Sequence, residues 1–133
     1  LKATEIDLAD CPDLGPILFT LGCFCSGETI LRNAGRLRIK ESDRIAAMQS
    51  ELEKMGARIQ VDGDTVYIYG TALRAPERPL NGHNDHRIVM ALAVAAAAGG
   101  LPATILGAEA VNKSWPAFWQ VLQALGERVE FEE

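Results

Sequence analysis

The chain has 133 residues, of which 48% are hydrophobic and 23% are charged, and its formal net charge is −5. These values are typical of one soluble globular domain with a sizeable core. The acidic balance argues against a nucleic-acid-binding protein, whose surface would need a basic stripe to neutralise phosphates. The longest apolar run, residues 88–98, is too short to span a bilayer and no secretory signal is recognisable, so we predict a cytoplasmic protein without a membrane partner.

The first half of the chain is predicted to alternate strands with helices and to end in a β-hairpin. The first helix is apolar on every side and must be buried, whereas apolar residues in the second helix recur on one face. The hairpin is indicated by Asp62-Gly63-Asp64 between two β-like runs. The predicted elements are a strand at 5–8, a helix at 14–25, a strand at 29–31, a helix at 43–55, and strands at 58–61 and 65–69.

After a proline-containing connection the same pattern begins again. The same distance along the chain separates Asp13 from Asp85 and Ser42 from Ser114. We therefore predict a single partial lobe, residues 1–133, made of two repeated units at 1–70 and 71–133. The predicted elements of the second unit are an all-apolar helix at 88–98, a strand at 104–106, an amphipathic helix at 115–125 with Ser114 as its N-cap, and a strand at 128–131.

Cations are predicted at three helix N-termini, where the helix dipole alone would favour an acid. Ser42 is the predicted N-cap of the second helix, which leaves Arg44 in its first turn, and Arg87 and Lys113 have equivalent places in the second unit. A cation is favourable there if an anion is bound by the free amides and the charged side chain together. One such placement would equally fit a solvated surface, but three predict a convergent site for a small anion.

The three cysteines lack the paired spacing of a zinc site, because no second pair follows Cys23 and Cys25 along the chain. Since these two residues fall in an apolar run, we interpret them as buried thiols in a reducing compartment. The sequence therefore predicts no metal centre built from cysteine.

Three motifs occur in order along the chain: Arg38-x-Lys40-Glu41-Ser42-Asp43-Arg44, Asn84-Asp85-His86-Arg87-x-x-Met90-Ala91 and Val111-x-Lys113-Ser114-x-Pro116-x-Phe118. Together they resemble the C-terminal lobe of the 5-enolpyruvylshikimate-3-phosphate synthase family. The resemblance implies an α/β fold of two lobes, each built of repeated β-α-β-α-β-β units around buried helices (an inverse α/β barrel). This chain would hold roughly the last two units of the second lobe.

The resemblance also implies an activity. The enzymes of this family, 3-phosphoshikimate 1-carboxyvinyltransferases, move the carboxyvinyl group of phosphoenolpyruvate to the 5-hydroxyl of shikimate 3-phosphate in the shikimate pathway. They release phosphate and use no metal or organic cofactor. The missing N-terminal lobe is the implied partner, so the chain alone is expected to be inactive. Two alternatives are a non-catalytic binding module of the same fold and a UDP-N-acetylglucosamine enolpyruvyl transferase lobe, which fits the Asp-His-Arg segment less well.

Roles for individual residues follow from the same resemblance. Asp13 and Glu41 match the catalytic carboxylates: Asp13 would contact the sugar hydroxyl and therefore also binds substrate, and Glu41 would shuttle the proton at the methylene group. Arg44 and Arg87 match the pair that holds phosphoenolpyruvate, chiefly by its carboxylate, a task that suits planar guanidinium forks.

Two lysines and a histidine complete the implied site. Lys40 would contact shikimate 3-phosphate and Lys113 would lie on the phosphate side. His86 is expected to tune or orient Glu41 rather than to act as a base itself.

Other polar residues near the motifs have simpler interpretations. Asp43 and Asp85 are interpreted as structural acids, either of which could orient an arginine, and His83 as a solvated loop residue. Asp13 could also cap the helix that follows it. Arg36 departs from the family pattern, which often places a small polar side chain at that position, and it is therefore left out of the predicted site.

Overall fold

The structure is a computed structural model that describes residues 2–130, and it alternates short strands with helices as predicted. The strands are β1 (Glu5–Asp7), β2 (Glu28–Arg32), β3 (Arg58–Asp62), β4 (Thr65–Tyr69), β5 (Leu80–Asn81) and β6 (Ile105–Leu106), and the α-helices are α1 (Gly15–Phe24), α2 (Arg44–Glu53), α3 (His86–Gly99) and α4 (Phe118–Ala124). Within the described residues, no helix combines the length and the apolar character needed to cross a membrane.

The strands form a four-stranded sheet with the order β1-β2-β4-β3 and a two-stranded sheet of β5 and β6. β1 is parallel to β2 and β5 is parallel to β6, whereas β4 is antiparallel to both β2 and β3. Parallel strands need a long crossover connection, and here α1 and α3 supply it. Each half of the chain therefore contains a parallel strand pair joined by a buried helix, while the unit boundary near residue 70 stays a prediction.

The two all-apolar helices pack against each other and against the larger sheet. Phe19 of α1, Leu92 of α3 and Ile68 of β4 are completely buried in one cluster. Thr20 ties the two helices together, because its hydroxyl donates a hydrogen bond to the carbonyl oxygen of Ala91 at 2.9 Å. This core holds α1, α2 and α3 in a fixed arrangement, and the candidate site lies where α2 and α3 begin.

The N-terminus of α2 differs from the prediction in its cap. The side chain of Asp43 accepts a hydrogen bond from the amide of Ala46 at 3.1 Å, whereas the hydroxyl of Ser42 donates to Asp85 at 2.8 Å. Aspartate and serine cap helices about equally well, so the contact with Asp85 decides between them. Asp13 also caps no helix, since it lies inside a 3-10 turn that precedes α1.

The third motif begins its helix later than predicted. A 3-10 helix, Ala108–Lys113, ends at Lys113, and α4 begins at Phe118 without a side-chain cap. The predictions of Ser114 as an N-cap and of Lys113 at a helix N-terminus are therefore wrong. A cation at a helix C-terminus is electrostatically favourable, so the position of Lys113 does not by itself require an anion. The predicted last strand is absent over residues 128–130, and its final residue lies outside the described part.

The cysteines are free thiols, but they differ in exposure. Cys23 is buried in the core, whereas Cys11 and Cys25 are partly exposed, so the prediction of burial holds for Cys23 and not for Cys25. Burial raises the pKa of the Cys23 thiol to about 11, with a smaller contribution from the neighbouring Cys25. Cys23 is therefore a protonated core residue at neutral pH.

Candidate active site

Arg44, the first residue of α2, is at the centre of the site, and its side chain is only 1% exposed. Its Nε donates to one carboxylate oxygen of Asp85 at 2.8 Å, and a terminal nitrogen lies 3.2 Å from the other. This two-point contact is the geometry that a planar guanidinium favours. The same terminal nitrogen donates to Glu41, and the second terminal nitrogen donates to Asp13 at 3.2 Å. Three carboxylates therefore contact one guanidinium.

Asp85 holds the buried side of this arrangement. It is completely buried, and besides Arg44 it accepts hydrogen bonds from the hydroxyl of Ser42 at 2.8 Å and from the amide of Arg87 at 3.0 Å. Burial alone would raise the pKa of Asp85, but the hydrogen bonds from Arg44 and Ser42 and the arginine charge outweigh it and lower the pKa below its usual value. Asp85 is therefore an ionised carboxylate that also caps α3.

Asp13 lies on the exposed side and has three cations around it. Its carboxylate oxygens lie 3.6 Å from Nζ of Lys40, 3.2 Å from Arg44 and 4.0 Å from a terminal nitrogen of Arg87. Burial raises the pKa of Asp13, but the charges of Arg87, Lys40 and Arg44 and the hydrogen bond from Arg44 together outweigh it and lower the pKa below its usual value. Lys40 and Arg87 have N–H donors that Asp13 does not occupy, so the exposed side can bind a further anion.

Lys113 approaches the same region from the segment after β6, and His86 approaches it from the start of α3. Nζ of Lys113 donates to the carbonyl oxygen of Asn84 at 2.5 Å, and thus lies beside the N-terminus of α3 without contacting the acids directly. Within residues 2–130, Nδ1 of His86 is buried and has no hydrogen-bond partner. The predicted action of His86 on Glu41 stays a prediction.

Glu41, Asp85 and His86 bring possible metal-ligand atoms within 4.8 Å of one another. The guanidinium of Arg44 already contacts both carboxylates, however, so a metal ion there would meet a like charge. The cluster therefore fits an arginine better than a metal, and the absence of a metal or cofactor from the reaction stays a prediction.

The structure thus brings five of the predicted site residues together from three separate parts of the chain, and Lys113 lies beside them from a fourth part. Asp13 precedes α1, Lys40, Glu41 and Arg44 lie at the start of α2, and Arg87 lies at the start of α3. Arg36, which the prediction left out, donates to the carbonyl oxygen of Ala9 at 3.2 Å and remains exposed. Their proximity is an observation, whereas their roles stay predictions.

Sequence reasoning missed two features of this region. It assigned Ser42 to a helix cap, although its hydroxyl binds Asp85. It also interpreted His83 as a solvated loop residue, which is wrong, because its Nε2 lies 2.9 Å from the buried carboxylate of Glu51. The sequence signal for the second contact is Glu51 itself, which directly precedes Leu52 of the apolar stripe of α2, because a buried acid requires a partner.

Comparisons with known proteins identify the family. A family model described as EPSP synthase (3-phosphoshikimate 1-carboxyvinyltransferase) matches residues 1–122. Two curated relatives have the name 3-phosphoshikimate 1-carboxyvinyltransferase. The one from Halorubrum lacusprofundi is 42% identical, and the match covers 98% of this chain and 29% of the relative. The one from Brachyspira hyodysenteriae is 44% identical, and the match covers 97% of this chain and 30% of the relative.

A solved structure of EPSP synthase from Acinetobacter baumannii superposes on all of this chain and on 32% of that chain, with a TM-score of 0.90 and 29% identity. These matches confirm the predicted fold class and the resemblance that the three motifs carry. The chain spans about three tenths of the length of the curated relatives it matches. The chain belongs to the EPSP synthase family.

Proposed function

We propose that this chain is the C-terminal part of an enolpyruvyl transferase that moves the carboxyvinyl group of phosphoenolpyruvate to the 5-hydroxyl of shikimate 3-phosphate and releases phosphate. Membership of the family and the names of the relatives support this function. The observation that carries it is the arrangement around Arg44, where one buried guanidinium faces two exposed carboxylates, Asp13 and Glu41. The lobe that the relatives have in addition would complete the site.

The two exposed carboxylates suit the proton transfers of this reaction. Glu41 would protonate the methylene carbon of phosphoenolpyruvate, which makes the adjacent carbon electrophilic. The 5-hydroxyl would attack that carbon and pass its proton to Asp13, giving a tetrahedral intermediate. Loss of phosphate, which takes up the proton held by Asp13, together with return of the methylene proton to Glu41, would then form the enol ether and restore both carboxyl groups. The pKa of Asp13, which burial alone would raise, is lowered by the charges of Arg87, Lys40 and Arg44, so this carboxylate is ionised and able to accept a proton.

The cations would bind the substrates and stabilise the charge that develops. Asp85 prevents rotation of Arg44, so the edge of its guanidinium that faces Asp13 and Glu41 is oriented before any substrate arrives. Arg87 and Lys40 are less buried and have donors that Asp13 does not occupy, so they can bind a carboxylate or a phosphate. Lys113, beside Asn84, would neutralise the leaving phosphate.

The test is a titration of the isotope-labelled chain with phosphoenolpyruvate and, separately, with shikimate 3-phosphate, followed by nuclear magnetic resonance. We expect shifts at Lys40, Arg44 and Arg87 that Arg87→Met weakens and that Arg128→Met does not, because Arg128 is exposed and paired with Glu130. Phosphate release should appear only after the N-terminal lobe of a relative is added.

The alternatives predict different results. Shifts with UDP-N-acetylglucosamine but not with shikimate 3-phosphate would favour the sister family. A non-catalytic module would be favoured if the chain shows ligand shifts but no phosphate is released after the N-terminal lobe of a relative is added. That lobe must be active with its own C-terminal lobe. Robust phosphate release by the chain alone would contradict the proposal that the site is shared between two lobes.

A further inference from the structure

Glu51 is a buried carboxylate that takes no part in the chemistry proposed above. Its side chain is 3% exposed, and it lies near the end of α2 opposite to Arg44. One oxygen accepts hydrogen bonds from Nζ of Lys54 at 2.7 Å and from the amide of Asn81 at 2.8 Å, and the other lies 2.9 Å from Nε2 of His83. A charge buried at this depth is stable only when paired and hydrogen-bonded, and these contacts provide both.

Two of the contacts are with the segment that leads into α3. This segment, residues 81–84, has left-handed backbone at His83 (φ 54°) and Asn84 (φ 52°), a conformation that is uncommon outside glycine although asparagine and histidine tolerate it better than most residues. It also passes close to its neighbours, because a side chain at Gly82 would place its Cβ 2.5 Å from Val89 and 2.9 Å from the carbonyl oxygen of Leu106. A backbone of this kind persists only when its surroundings hold it in place.

The segment ends at the candidate site. The carbonyl oxygen of Asn84 accepts the hydrogen bond from Lys113, and the next residue is Asp85, which binds Arg44. A displacement of the segment would therefore move Lys113 and the start of α3 together with Arg87.

Side chains on one face of α2 bind the backbone or side chains at both ends of this segment. Arg44 and Glu51 lie about two helical turns apart and so project from the same side of α2. Arg44 binds Asp85 just after the segment, and Glu51 binds Asn81 where it begins. The segment is thereby attached at two points to one rigid helix.

We propose that Glu51 is a positioning residue, which holds residues 81–84 so that Arg87 and Lys113 are placed for anion binding. The consequence for binding rests on the proposed function, whereas the attachment itself does not. Glu51 contacts no substrate, and it acts through the backbone of Asn81 and the side chain of His83.

The test compares Glu51→Gln with Glu53→Gln in the complete chain. Both substitutions remove one negative charge from α2 without changing the size of the side chain, but Glu53 is exposed. Hydrogen exchange is measured at the amides of Asp85 and Arg87, which donate within this region, and at the amides of β4, an interior strand of the larger sheet. We expect exchange about tenfold faster at Asp85 and Arg87 in Glu51→Gln, with β4 unchanged, and phosphoenolpyruvate bound about tenfold more weakly.

A second variant tests the proposal if Glu51→Gln does not fold. His83→Asn removes the imidazole but keeps a residue that tolerates left-handed backbone, and we expect the same local effect at about threefold. The proposal is overturned if exchange at Asp85 and Arg87 equals that of Glu53→Gln, if β4 accelerates equally, or if the folded variants bind phosphoenolpyruvate as tightly as the original chain. Absence of binding by the original chain would contradict the proposed function, and the exchange comparison would still decide whether Glu51 holds the segment.

Discussion

The carboxylates on the two sides of the Arg44 guanidinium differ in exposure. The buried contact contributes mainly to stability, and the exposed contacts are available for chemistry. On one side Asp85 is completely buried, and on the other Asp13 and Glu41 have side chains that are 55% and 47% exposed. Charges attract more strongly where water is excluded, and exposed pairs are weakened by solvent and salt. The buried contact therefore fixes the arginine, while the exposed contacts can be exchanged for a ligand.

The largest expected effect comes from breaking the buried contact. Asp85→Asn keeps the size of the side chain but leaves Arg44 buried without its counter-charge, so we expect a loss of about 3–5 kcal/mol in the free energy of unfolding. The matched control is Asp64→Asn, since Asp64 forms a 2.8 Å ion pair with Arg38 at the surface. The control should lose at most about 1 kcal/mol. Urea unfolding measures both, and equal losses would show that burial does not distinguish the two pairs.

The pH dependence of stability should come mainly from the buried carboxylates. Burial would raise the pKa of Asp85 and of Glu51, but hydrogen bonds outweigh it: those from Arg44 and Ser42 lower the first, and those from Lys54, Asn81 and His83 lower the second. As the pH falls, the unfolded chain protonates first, near pH 4, so stability is complete above about pH 5 and is lost progressively below pH 4.

Each of these groups contributes at most about 1.4 kcal/mol per pH unit. We therefore expect the unfolding free energy between pH 6 and pH 3 to fall less steeply in Asp85→Asn and in Glu51→Gln than in the original chain. Urea unfolding at a series of pH values measures this. Identical slopes in all three chains would contradict the assignment to these two residues.

A smaller effect on the free energy of unfolding is expected from removing the Ser42 hydroxyl, which donates to the buried Asp85. Ser42→Ala removes a 2.8 Å hydrogen bond to an ionised carboxylate, and we expect a loss of about 1–2 kcal/mol. Ser50→Ala is the control, because Ser50 is exposed on the same helix and alanine has the higher helix propensity. If Ser42→Ala proved as neutral as the control in thermal or urea unfolding, its contact with Asp85 would add nothing to stability.

The smallest effect on stability is expected on the exposed side. Asp13→Asn should change the unfolding free energy by less than about 1 kcal/mol, since the Asp13 carboxylate is itself exposed to solvent and Arg44 keeps its contact with Asp85. Phosphoenolpyruvate should bind the variant about fivefold more tightly, because one negative charge has been removed from among three cations. Asp62→Asn, with the same charge change in β3, serves as the control. A titration in low salt measures both, and weaker binding to Asp13→Asn would contradict the electrostatic account.

The secondary structure was largely predictable because its signals are local. Asp62-Gly63-Asp64 predicts a tight turn from three residues alone, and the structure pairs β3 with β4 around it. The all-apolar runs that became α1 and α3 required burial whatever surrounded them. Local signals were insufficient at the caps, where Ser42 and Asp43 are equally good candidates. They were also insufficient at Ser114, where a 3-10 helix ends at Lys113 and α4 begins only at Phe118.

By itself, the sequence determined the strands and helices of the first half, from β1 to β4, the α/β class and the motifs that place this chain in its family, because each depends on neighbours along the chain or on short residue patterns. In the second half it missed β5, and the last strand that it predicted is absent over residues 128–130. Only the tertiary structure decided which charges meet. It joined Asp13, Arg44 and Asp85 from three distant segments, and it attached His83 to Glu51. Such contacts depend on how helices pack against the sheet, and the strength of each depends on burial, which no single segment encodes.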